Sequence, residues 1–182
     1  MKIVYQGKTK KGLDIVIRYP QKGDEKEMWK YINELSKEKT FIRFQGEEIS
    51  FKDETDYLNL QLKQINDKKA ITLLGFYENK LIAISGVNTR DKTEKHIGVF
   101  GISVAKEFRN EGIGRLLMEK VFEEAVKEIT SLKIVSLEVY SKNTIAKRVY
   151  ERFGFIEYGL LPNGVSRDNT FEDAILMYKN IR

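Results

Sequence analysis

Apolar residues recur along this chain in two rhythms, one suited to strands and one to helices. A short β-branched run over 13–18, closed by Tyr19-Pro20, predicts a strand. Met28, Trp29, Ile32 and Leu35 then fall at helical spacing, and Tyr57, Leu58, Leu62 and Ile65 share one face of a second helix over 54–65. Between them, 38–53 is polar with embedded Phe41, Phe44 and Phe51, the pattern of a partly packed loop that borders a binding cleft. Phe41, Phe44 and Phe51 are candidates to line a pocket there.

Further along, 71–77 and 81–87 read as strands joined through Glu78-Asn79-Lys80, where Asn tolerates the positive φ of a tight turn. A third run, 96–104, completes a meander. From 112 to 129 the apolar residues Ile113, Leu116, Leu117, Val121, Phe122, Ala125 and Ile129 mark a long amphipathic helix, followed by a strand at 134–140. A shorter helix over 144–153 places Ile145, Ala146, Val149, Tyr150 and Phe153 on one face and ends at Gly154, a C-terminal cap. Strands at 155–161 and 174–178, with a turn signal at Asn163-Gly164, close the chain. This order predicts an α/β class of mixed type, with helices on the faces of one mixed sheet. The passage from 96 to 140 is expected to be a right-handed crossover between parallel strands, whose carboxyl ends favour an active crevice.

With 182 residues, two prolines and no linker or repeat, residues 1–182 are expected to form a single domain. No apolar run is long enough for a membrane helix and the N-terminus lacks a signal segment, so a cytoplasmic protein without a membrane partner is expected. The absence of Cys and the single His exclude thiolate nucleophiles and argue against a metal site. His96 reads as solvent-facing, and Gly7-Lys8-Thr9-Lys10 as a polar terminus without the upstream glycine of a P-loop. The net charge of +5 arises from 32 basic and 27 acidic residues that are interspersed, which disfavours nucleic acid while attracting an anionic cofactor.

The chemistry concentrates where the strand 99–104 runs through Ala105-Lys106-Glu107-Phe108 into Arg109-Asn110-Glu111-Gly112-Ile113-Gly114. A helix start exposes unpaired N–H groups and the positive end of its dipole, glycines let a pyrophosphate approach, and Arg109 adds a cation. No Walker A pattern is present, and Leu117 stands where a dinucleotide fingerprint needs its third glycine. By itself the loop also fits an ordinary glycine-containing helix start. The stretch Val104-x4-Arg109-x2-Gly112-x-Gly114, however, resembles the acetyl-CoA signature of the GNAT superfamily of N-acetyltransferases. Asn143-x2-Ala146-x2-Val149-Tyr150-x3-Gly154-Phe155 resembles that family's second signature, with Val149 replacing the usual Leu. The likeness covers roughly 70–180.

The resemblance implies a single GNAT-like domain whose central sheet is mostly antiparallel, with parallel strands that splay at the cofactor cleft. It implies that Ile102, Ser103 and Val104 offer backbone groups to the pantetheine arm of acetyl-CoA, and that Arg109, Asn110, Glu111, Gly112, Ile113, Gly114 and Arg115 hold the pyrophosphate. Tyr150 stands where family members protonate the departing thiolate; on its apolar helix face it equally reads as a core aromatic. Glu138 is the candidate base, since a carboxylate in an apolar strand needs a reason, although an edge-facing or ion-paired Glu answers equally. Its spacing from Tyr150 resembles the base–acid pair of N-terminal peptide acetyltransferases. Asn143 is expected to cap its helix and contact the cofactor. The expected reaction is acetyl transfer by direct attack of a primary amine in a ternary complex; the alternative is a non-catalytic acyl-CoA sensor. The acceptor is a small amine or a peptide or protein, and the C-terminal strands offer an edge for a homodimer.

Overall fold

The computed structural model describes residues 2–167 and 169–181. In chain order its elements are β1 (Ile3–Lys8), β2 (Asp14–Arg18), α1 (Glu25–Lys37), α2 (Phe51–Asn66), β3 (Ala70–Tyr77), β4 (Lys80–Thr89) and β5 (Ile97–Val104). There follow α3 (Ile113–Glu128), β6 (Ile134–Tyr140), α4 (Thr144–Arg152), β7 (Ile156–Arg167) and β8 (Thr170–Asn180). The strands form one sheet in the order β1-β2-β3-β4-β5-β6-β8-β7, the mixed and mostly antiparallel α/β arrangement expected. The chain gathers into two compact units: residues up to Asn88 with Gly101–Thr130, and Thr89–Phe100 with the chain from Ser131 onward.

In the first unit β1, β2, β3 and β4 pair antiparallel in sequence order. The β3–β4 turn sets Glu78 at φ 47° and Asn79 at φ 65°, the doubly positive turn that matches strand twist. All but the last residue of β3 is buried. Leu74 and Phe76 meet Met28, Tyr31 and Leu35 of α1 and Leu58 of α2 in one apolar cluster. The helix α3, with Leu117, Val121 and Ala125 fully buried, also packs against β3. Each of the buried Leu, Val and Met side chains contributes about 1.5–3 kcal/mol by leaving water. On β4, Gly86 is required by proximity, because a Cβ there would lie 2.5 Å from the Ile71 carbonyl oxygen of β3.

Two expectations for this unit are corrected. The polar terminus contains β1, whose residues are exposed or half-buried and none buried because it is the sheet edge, so no buried stripe marks it. The α1 stripe is also turned: Tyr31 is 3% exposed while Trp29 is half-buried, with its indole N–H donating to the Ile49 carbonyl at 2.8 Å. Ion pairing supplements the apolar core. Arg18 grips Asp24 through two bonds of 2.7 Å and lies 4.2 Å over the Phe76 ring.

In the second unit β5 and β6 pair parallel, Ile97↔Ile134 through Val99↔Ser136, as the crossover requires. The strand β6 also pairs antiparallel with β8, and β8 with β7. Asn143 caps α4 by accepting from the Ala146 N–H at 3.2 Å, and Gly154 follows the helix at φ 84°. Here the correction concerns the turn signal at Asn163-Gly164, which is not the hairpin turn. It marks a register shift inside β7, and the chain reverses between Arg167 and Thr170, where Asn169 has φ 56°. Ile145 is 75% exposed and does not share the packed face of α4.

Removing one partner of the buried Arg18–Asp24 pair leaves the other charge unpaired in a dry site. Asp24→Ala is therefore expected to destabilise the fold by roughly 3–5 kcal/mol in denaturant melts, with Asp24→Glu much milder.

Candidate active site

The turn from β5 to α3 is built around two left-handed residues, Asn110 at φ 65° and Gly112 at φ 80°. Gly112 is the N-cap of α3, and no atom lies within 4 Å of where its Cβ would stand. The first intrahelical acceptance runs from Leu116 N–H to the Gly112 carbonyl, so Ile113, Gly114 and Arg115 precede the helix's own hydrogen-bond ladder. A Cβ on Gly114 would meet Val104 and Ile102 only at ordinary contact, 3.7 and 3.9 Å. Glu111 is drawn to Lys11 at 3.4 Å, and Arg115 to Glu119 at 2.9 Å.

Arg109, expected as a cation for phosphate, is engaged within the protein. Its Nε donates to the Val104 carbonyl at 2.9 Å and its Nη2 to Glu38 Oε2 at 2.5 Å. Ser103 exchanges a 2.8 Å hydrogen bond with the buried Tyr31 phenol. The β5 residues Ile102, Ser103 and Val104 are half-buried. No metal-binding group of His, Cys, Asp or Glu occurs among the described residues.

A cleft of about 230 Å³ opens in this same unit. Ile32 and Leu35 of α1, Ile42 and Phe44 of the connecting loop, Tyr57 of α2 and Ile84 of β4 give it apolar walls, and Gly101, Ile102 and Ser103 of β5 border it. Of the three phenylalanines proposed for such a pocket, Phe44 lines it; Phe51 instead begins α2 and meets Trp29 edge-on. Glu54, on the inner face of α2 with Leu58 and Gln61, is only 6% exposed and has no side-chain partner among the described residues. Burial pushes its carboxyl up to about 7. The helical spacing of 54, 58 and 61 carried the signal for an inward carboxylate, but the apolar stripe masked it.

In the second unit Tyr150 packs edge-on against Phe100 at 6.2 Å and against Phe155 at 5.9 Å between ring centres. Its hydroxyl has no hydrogen-bond partner among the described residues. Burial pushes the phenol up to about 12, so it keeps its proton at neutral pH. Glu138 is exposed on β6 opposite Leu176 of β8. His96 is half-buried rather than solvent-facing, and its carbonyl accepts from the Lys133 and Ile134 N–H groups.

A strand leading into a glycine-capped helix, on a mixed sheet with helices, is the arrangement that the sequence led one to expect. The chain belongs to the acetyltransferase (GNAT) family, whose pattern matches residues 28–155. It is similar to a GNAT-family acetyltransferase from Streptococcus pneumoniae, 29% identical with TM-score 0.84 over 92% of this chain and 99% of that one. A ribosomal-protein-alanine N-acetyltransferase from Brucella melitensis shares the fold at 19% identity and TM-score 0.78, covering 90% and 98% of the two chains. A spermidine N-acetyltransferase from Vibrio cholerae, solved with CoA and spermine, does so at 22% and TM-score 0.75, covering 91% and 95%. No curated protein sequence matches the chain.

Two measurements test the site. Gly112→Asp replaces an open left-handed position by a side chain that strains the turn and sets a carboxylate against any phosphate; CoA binding by calorimetry is expected to fall more than 100-fold in a folded variant. For Glu54, the folded state holds a proton between the ordinary carboxyl range and about 7 that the unfolded chain has lost, so its contribution to stability declines as pH rises through that window. Glu54→Gln is expected to gain roughly 1–3 kcal/mol over wild type at pH 8 and little at pH 4 in denaturant melts. A wild-type pH slope in the variant would place that titration on another group.

Proposed function

We propose that residues 1–182 act as one cytoplasmic N-acetyltransferase domain that passes the acetyl group of acetyl-CoA directly to a primary amine. The observation that carries this reading is the glycine-capped start of α3, with free space at Gly112 and helix N–H groups at Ile113, Gly114 and Arg115, placed directly after β5. Such a start suits a pyrophosphate. Asn110, Glu111 and Gly112 shape the turn, and Arg109 acts there by holding it rather than by a free charge. Ile102, Ser103 and Val104 offer main-chain groups to the pantetheine arm, and Asn143, while capping α4, is the second-signature contact.

Acetyl-CoA supplies an activated thioester, so the protein needs to position an amine, relieve it of a proton and steady the leaving sulfur. A backbone N–H of β5 polarises the carbonyl. Glu138, exposed and acceptor-only, takes the amine proton directly or through water. Tyr150 donates its hydroxyl to the departing sulfur. With the phenol near 12 and a thiol near 8.5, complete transfer is uphill by roughly 5 kcal/mol, so a strong hydrogen bond is the larger part of its help. The unpartnered Tyr150 hydroxyl favours an enzyme over a non-catalytic acyl-CoA sensor. The outer strand β7, with Ile156, Tyr158 and Leu160 exposed, offers the edge for a homodimer.

Acetyl-CoA binding by calorimetry, followed by amine-dependent thiol release, tests the reading; binding without release to any amine would mean a sensor. Tyr150→Phe keeps the ring against Phe100 and Phe155 and is expected to leave stability and acetyl-CoA affinity unchanged. Its single-turnover rate should fall about 10²–10⁴-fold, and a near-normal rate would make Tyr150 a packing residue.

A further inference from the structure

The cleft bordered by Gly101, Ile102 and Ser103 adjoins the part of β5 assigned above to the pantetheine arm, so an amine held in it would lie beside the thioester. Its polar lining is unusual in two respects. Arg43 contributes the cleft's one charged side chain among the described lining residues, and it has neither ion pair nor hydrogen bond among the described residues. Asn88 presents a buried Oδ1 with no hydrogen-bond partner. Three of the lining hydroxyls have intramolecular uses: Ser85 donates to the Gly101 carbonyl at 2.9 Å, Thr72 to Gln61 Oε1 at 2.8 Å, and Ser103 bonds Tyr31.

A buried acceptor without a donor is costly to keep, so Asn88 is suited to a ligand N–H. An unpaired guanidinium at an apolar cleft suits a carboxylate, which it binds with two parallel hydrogen bonds. No Asp or Glu is among the described lining residues, so nothing in the cleft would balance a second ammonium group of a polyamine. At about 230 Å³ the space lies below the ~300 Å³ at which drug-sized sites begin and suits one side chain.

We propose that this cleft selects a small amine of amino-acid type, its apolar side chain between Ile32, Phe44 and Tyr57, its carboxylate on Arg43 and its N–H on Asn88 Oδ1. This deepens the acetyltransferase reading and rests on it. Glu54 lies outside the lining; burial first and the neighbouring Glu54 second raise the Tyr57 phenol, and Arg43 is the charged group among the described lining residues.

The test compares L-phenylalanine with phenethylamine, L-leucine with isoamylamine, and spermidine, each followed by CoA thiol release from acetyl-CoA in the full chain. The carboxylated member of each pair is expected to have the higher kcat/KM, with spermidine poorest. Arg43→Ala should raise KM for the amino acids about 10–100-fold, leave the decarboxylated amines within about twofold, and leave acetyl-CoA affinity by calorimetry unchanged. Asn88→Leu should weaken both classes. Equal use of both members of a pair, indifference of the amino acids to Arg43→Ala, or a preference for spermidine would overturn the assignment while transfer itself stands. Loss of acetyl-CoA binding in wild type would instead overturn the enzyme reading.

Discussion

The bond pair made by Arg109 fixes the geometry on which the first unit's chemistry depends. One guanidinium joins the carbonyl at the end of β5, at Val104, to Glu38 just beyond α1. The turn it holds contains Asn110 and Gly112 at positive φ, conformations an unconstrained chain leaves readily. Glu38 in turn opens the connection that brings Ile42, Arg43 and Phe44 to the cleft. A single guanidinium therefore ties the turn proposed for the phosphate to the start of the loop that lines the cleft. In the proposed function, building the cation into the frame in this way trades direct attraction for preorganisation, and anion binding falls to helix N–H groups that need no side-chain ordering.

The surrounding packing shows where the fold spends stability. β3 is buried almost throughout, and Gly86 brings β4 so close to it that a single methyl group would collide. Against that dry centre stand a buried carboxyl at Glu54 and an orphan amide oxygen at Asn88, while Arg43 at the exposed rim of the cleft has no ion pair among the described residues. Glu54 and Asn88 carry a desolvation cost. Polar groups retained at such cost beside the cleft fit binding better than packing.

Legibility in the sequence followed the range of the determining contact. The strand β6, the long helix α3, the hairpin at Glu78-Asn79 and the Asn143 cap are set by neighbours within a few residues, and all were readable. Asn163-Gly164 misled because a bulge asks for the same residues as a turn, and only the register with β8 separates the two. β1 escaped because an edge strand has no buried face to impose a stripe. The duty of Arg109 needs a partner 71 positions away, and the cleft combines Ile32, Arg43, Asn88 and Ser103. No local period encodes such a meeting.

The tyrosines show how structure separates residues that sequence leaves equivalent. Tyr19 and Tyr31 are buried phenols with their hydroxyls committed, one donating to Glu124 at 2.8 Å and the other paired with Ser103. Both therefore serve the frame. Tyr150 has its ring enclosed by Phe100 and Phe155 and its hydroxyl uncommitted among the described residues. Enclosure raises the cost of ionising the phenol, which removes it as a base and preserves it as a donor. A donor of that kind gains little from a neutral thioester and much from a sulfur that is acquiring charge. In the role proposed for Tyr150, such a bond strengthens along the reaction coordinate, the condition under which an interaction lowers a barrier instead of merely tightening binding.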